Sequence, residues 1–81
     1  MSNRISVSKL EEYIDFGIVS AVYLVPMPMV PKWALWVSCN NGSELVLTTA
    51  RGEDRQFASL NTAVELLKLV GWRRPVTLHL D

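Results

Sequence analysis

The segment that most constrains this chain is Asn40-Asn41-Gly42-Ser43, set between two stretches of alternating residues. Asn-Gly is the strongest short hairpin signal, because a type I′ turn needs positive φ at both central residues. Trp33 to Cys39 enters the turn and Glu44 to Ala50 leaves it. With a period of two, Trp33, Leu35, Val37 and Cys39 share one face, and Ala34, Trp36 and Ser38 share the other. On the returning strand Leu45, Leu47 and Thr49 lie opposite Glu44, Val46 and Thr48.

The flanking segments extend this unit. Ile18 to Val25 is rich in Val, Ile and Tyr and predicts a strand. Pro26-Met27-Pro28-Met29-Val30-Pro31 cannot be a central strand, since proline has no N–H. It reads as an extended, polyproline-like connection. Upstream, Ser6 to Gly17 predicts a short helix, with Ser8 as N-cap and Glu11 closing a capping box. Its acids fall early, Gly17 provides the stop, and Leu10, Tyr13, Ile14 and Phe16 form the apolar face. Downstream, Arg51 to Arg55 is a charged turn and Gln56-Phe57-Ala58 a short strand. Ser59 caps a helix from Leu60 to Val70, which Gly71 terminates. Leu60, Ala63, Val64, Leu67 and Val70 make its buried face, widened by Leu66 and Leu69. Pro75 to Leu80 alternates again and predicts a last strand. The expected fold is α+β: an antiparallel sheet of three to five strands, a meander around the Asn-Gly hairpin, packed on one or two helices. The expected order is α-β-β-β(-β)-α-β. At 81 residues the chain is a single domain, 1–81.

Composition narrows the function. The chain is 49% apolar and 20% charged, the balance of a folded protein and not of a disordered tail. Lys plus Arg and Asp plus Glu each number 8, so the formal charge is zero. A strong non-specific nucleic-acid binder needs an excess of cations, so DNA ranks behind a protein partner. Cys39 is the only cysteine, which excludes an intramolecular disulfide and a Cys-based structural zinc site. The first residues carry no apolar h-region, so no signal peptide is expected. The uncharged stretch from Phe16 to Pro31 is shorter than the ~20 residues of a membrane span and is broken by prolines. A cytoplasmic protein without membrane contact is expected.

Little here points to chemistry. His79 is the only histidine and is expected to face solvent from a terminal strand. Cys39 reads as a small core residue, so a hydrolase built on Cys39 and His79 ranks last. Gly52 and Gly71 are isolated, so there is no phosphate-cradling loop. Glu11, Glu12 and Asp15 read as the solvated side of a helix. No catalytic, cofactor or metal site is expected. Two surfaces remain. Arg51, Arg55, Arg73 and Arg74 offer an edge for nucleic-acid phosphates or an acidic partner. Tyr23 and Trp36 face away from the Trp33–Leu35–Val37 set, with Met27, Met29 and Val30 on a stiff loop beside them. If the first helix leaves this patch uncovered, it suits a protein interface or a homodimer seam.

One stretch carries a resemblance. Thr49 to Ala63 reads T-A-R-G-E-D-R-Q-F-A-S-L-N-T-A, followed by Leu66, Leu67 and Gly71. It resembles a pattern, T-A-R-G-x-x-R-x-F-x-S-L-x-x-A, of small accessory proteins of plasmids and integrative conjugative elements, described as partition-associated or plasmid-related. The resemblance covers the middle of the chain. It implies a non-enzymatic role in keeping or transferring mobile DNA, with Arg51 and Arg55 as its polar positions and Gly52, Phe57 and Leu60 as fold positions. Two other likenesses are weaker. The order α-β-β-β-α is that of double-stranded-RNA-binding domains, but their lysine cluster is replaced by Leu60-Asn61-Thr62-Ala63. A three-stranded sheet followed by a helix is similar to the arm-binding domains of phage-type integrases, but Trp36, Val46 and Thr48 occupy the comparable face. The expected function is therefore a small protein-interaction module of a bacterial mobile element, self-associating or bound to another protein. The alternative is a DNA-binding accessory protein using the four arginines.

Overall fold

The computed structural model describes residues 3–79. In chain order the elements are β1 (Arg4–Ile5), α1 (Val7–Asp15), β2 (Val19–Pro26), β3 (Trp33–Cys39), β4 (Glu44–Leu47), β5 (Gln56–Phe57), α2 (Leu60–Leu69) and β6 (Thr77–Leu78). The strands form one sheet in the order β1-β4-β3-β2-β6, with β5 also paired to β3. The fold is α+β, as expected. Two differences stand out. The sheet has six strands, and it is mixed, because β1 runs parallel to β4 and β6 parallel to β2. β1, of two residues, is too short to show a period, whereas the last strand expected over Pro75 to Leu80 is present as β6, Thr77–Leu78 among the described residues. Leu80, in the predicted last strand, lies outside the described residues.

The hairpin of β3 and β4 forms, with Trp36 opposite Val46 and Val37 opposite Leu45. Its turn is not type I′. Gly42 N–H donates to Cys39 O at 3.0 Å and Cys39 N–H to Ser43 O at 2.8 Å. Only Gly42, at φ +90°, is left-handed there. This is the pattern of a three-residue loop closing on a left-handed glycine. Asn40 is held instead by its side chain, whose Nδ2 donates to Gly17 O at 2.7 Å.

The returning strand also stops earlier than predicted, at Leu47. The chain then makes a self-closed excursion before resuming as β5 on the same edge of β3. Thr48 bridges Asp54, Thr49 N–H donates to Glu53 O at 2.7 Å, and Arg55 N–H donates to Leu47 O at 2.9 Å. Arg4 of β1 clasps this excursion, donating to Gly52 O and pairing with Asp54 at 3.7 Å. The proline run likewise differs from the extended connection expected. It curls into a closed loop, with Met27 N–H donating to Lys32 O at 2.9 Å and Met29 left-handed at φ +70°.

Both helices end alike. Gly71 N–H donates to Lys68 O and Trp72 N–H to Leu67 O, while Gly17 N–H donates to Ile14 O and Ile18 N–H to Tyr13 O. These are Schellman closures with left-handed glycines at φ +95° and +70°. Ser59 caps α2 as predicted, accepting from Thr62 N–H. The cap of α1 is Ser6, not Ser8, because the helix starts as soon as β1 ends. That shift moves Glu11 and Glu12 out of the first turn, so no capping box forms. Phe16 and Leu69, expected to be apolar-face residues, are exposed. Phe16 is a C-cap beyond the helical stripe. Leu69 lies about 130° round the helix from the centre of the Ala63–Leu67–Val70 stripe, at ~100° per residue.

One core holds the layers together. Leu10 from α1 and Ala63, Leu67 and Val70 from α2 pack on Val22, Leu24, Leu35, Val37, Leu47 and Phe57. Both helices therefore cover the same sheet face. We expect Gly71→Ala to cost about 1 kcal/mol through the left-handed backbone alone. An added Cβ would meet nothing closer than Ile14 Cγ2 at 3.9 Å. A lower urea midpoint with an unchanged slope would register that cost.

Candidate functional site

The face that the helices leave bare is built by register. Tyr23 on β2 lies directly opposite Trp36 on β3, and Val25 opposite Ala34. Val46 on β4 flanks Trp36, and Thr77 on β6 flanks Tyr23. Tyr23 and Trp36 are half-buried by their own neighbours and not by a helix. The His79 ring meets Tyr23 edge-on, with centroids 5.1 Å apart. Tyr23, Val25, Trp36, Glu44 and His79 enclose a shallow cavity of about 350 Å³.

The interface residues predicted from sequence divide into two adjoining groups. Tyr23 and Trp36 are brought together. Met27, Met29 and Val30 occupy the loop that closes the same two strands, three residue pairs or about 10 Å further on. Met29 is fully exposed at that loop and Val30 is exposed. Glu44, Val25 and His79 were missed. The alternation carrying Tyr23 and Trp36 also carries Val25, but Glu44 and His79 needed the register of β4 and the parallel docking of β6.

The four arginines do not form one cluster. Arg51 lies on the excursion after β4, and Arg55 stacks over Phe57 at 5.7 Å, beside the N-terminus of α1. Arg73 and Arg74 lie beyond the other end of α2, and Arg74 stacks over Trp72 at 5.8 Å. The ten-residue α2, about 15 Å long, separates the pairs. Asp54, next to Arg55 in the chain, pairs with Arg4 of β1.

Cys39 and His79 are on opposite sides of the sheet. Cys39 is buried in the core beneath the helices, whereas His79 is exposed beside Tyr23. The pair cannot work as nucleophile and base in this geometry. Among the described residues, no group of three or more His, Cys, Asp or Glu could hold a metal ion, and no helix is long and apolar enough to cross a membrane.

Comparison with family models, with curated proteins and with solved structures finds no match to this chain.

Burial pushes the Cys39 thiol above its ordinary value of 9.0. The folded chain thus holds the proton more tightly than the unfolded one. That stabilising contribution is complete below the ordinary thiol value and is lost as pH rises through the folded value. Native Cys39 is expected to resist alkylation at pH 8, reacting readily only in urea. The fall in stability above pH ~9 should be shallower in Cys39→Ala.

Proposed function

We propose that this chain is a small non-enzymatic interaction module that works through the open face of its sheet, first of all by pairing with a second copy of itself. The observation that carries this is the Tyr23–Trp36 pair. Two large aromatics sit side by side at the centre of a sheet, on the side opposite both helices. Aromatic residues at the centre of a patch are what protein interfaces favour, because they bury much area at small entropic cost. Glu44 and His79 flank the pair on either side, a polar rim around an apolar centre. The exposed Met29 loop continues the patch, and its prolines reduce the ordering lost on contact.

The setting comes from the T-A-R-G-x-x-R-x-F-x-S-L-x-x-A resemblance: maintenance or transfer of a mobile genetic element in the bacterial cytoplasm. Its Gly52 is left-handed and its Phe57 is buried, which suits their reading as fold positions. Its Arg51 is exposed and available to a partner.

Light scattering across concentration, at low and moderate salt, tests the reading. Salt-independent dimerisation is expected, because the contact is apolar. Trp36→Ala should weaken it at least tenfold, about 1.4 kcal/mol. A chain that stays monomeric at millimolar concentration, or a Trp36→Ala variant that dimerises normally, would overturn it.

A further inference from the structure

A second cavity lies on the helix side of the molecule, between the last turn of α2 and the segment leading to β6. Its volume is about 360 Å³, within the range of small-molecule sites. Val64, Trp72 and Val76 give it apolar walls, and Lys68, Arg73 and Arg74 line it as well. Among the described residues, no carboxylate lines it. Among the described residues, none of these three cations lies within ion-pair distance of an acid.

Trp72 forms a buried part of the wall. Its side chain is buried, at 7% exposure, and its indole Nε1–H has no acceptor among the described residues. The Nε1–H itself is shut off from solvent, so it reports on the cavity wall and does not count among the groups a ligand contacts. The charged side chains here, two guanidinium groups and an ammonium, are all donors without acceptor capacity. A ligand that satisfies them brings the acceptors. The negative end of α2 opposes an anion less than it otherwise would, because its last carbonyls are already engaged. Val70, Gly71 and Trp72 N–H donate to Leu66, Lys68 and Leu67 O.

We propose that this cavity binds a small organic oxyanion, a phosphate or carboxylate carried on a compact apolar body. The oxygens meet Lys68, Arg73 and Arg74, whose guanidinium forks suit planar or tetrahedral oxyanions. The apolar body lies against Trp72 and Val76. This inference stands apart from the open face, which shares none of these residues.

The test is a titration of the full chain, labelled with ¹⁵N, with phenyl phosphate, with benzoate, and with benzyl alcohol as the uncharged control. The readout is the Trp72 indole N–H resonance, identified by its loss in Trp72→Phe. A saturable shift with phenyl phosphate or benzoate is expected, and none with benzyl alcohol; the tighter acid names the oxyanion class. Arg73→Gln with Arg74→Gln should weaken binding at least tenfold. Lys68→Gln, at an exposed helix position, provides a second variant that leaves the core alone. No saturable shift, an equal shift with benzyl alcohol, or unchanged affinity in both variants would overturn the proposal. So would a shift produced only by a duplex oligonucleotide, which would assign these cations to nucleic acid.

Discussion

The structure depends on the direction of its two crossovers. The chain leaves β1, forms α1 and returns as β2, parallel to β1 but beyond β4 and β3. It leaves β5, forms α2 and returns as β6, again moving across the sheet in the same direction. Parallel crossovers share one hand, so two that run the same way place their helices on the same side. The side chains agree, because Leu10, Ala63 and Leu67 all reach one core. The opposite face, with Tyr23 and Trp36 at its centre, is left without a covering layer. An aromatic surface is thus a consequence of topology, and not of a chance exposed residue.

The same topology explains how so short a chain closes. Its helices are brief, nine and ten residues, and each would be marginal alone in water. Each is tied at both ends: a serine side chain accepts at the start, and a Schellman closure on a left-handed glycine finishes it. Gly17 and Gly71 also turn the chain back towards the sheet, delivering Ile18 and Trp72 to the core. Arg4 secures the remaining loose part, the excursion after β4, by grasping Gly52 and Asp54. Residues 49–63 supply this excursion, β5 and the start of α2.

What was legible in the sequence followed from local rules. Period-two alternation placed Leu35, Val37 and Cys39 together, and helical spacing placed Ala63, Leu67 and Val70 in the core. Ser59 and Gly71 were recognisable caps. What was illegible depended on contacts distant in sequence. The two-residue β1 exists only because β4 offers an edge to pair with, and the parallel docking of β6 on β2 is likewise settled by tertiary pairing. The Asn-Gly turn took a different form because Asn40 is bound to Gly17, outside the hairpin. Whether α1 would cover Trp36 could not be read from α1 itself. The crossover direction decides it, and that rests on the parallel pairing of β1. The candidate site follows this division: Tyr23 and Trp36 could be named from alternation, whereas their neighbours Glu44 and His79 came only with the tertiary register. The cationic cavity lay further from view, since it joins Lys68 and Trp72 to Arg73 and Arg74 through the fold of the helix end.

The three tryptophans report on three different places. Trp33 packs against the core, Trp36 stands on the open face, and Trp72 walls the cationic cavity. The most direct measurement is ¹⁹F NMR of the chain labelled with 5-fluorotryptophan, followed through dilution. Contact through the open face requires the Trp36 resonance to move with concentration while those of Trp33 and Trp72 stay in place. A Trp36 resonance that does not respond to dilution, or movement confined to Trp33 or Trp72, would contradict it.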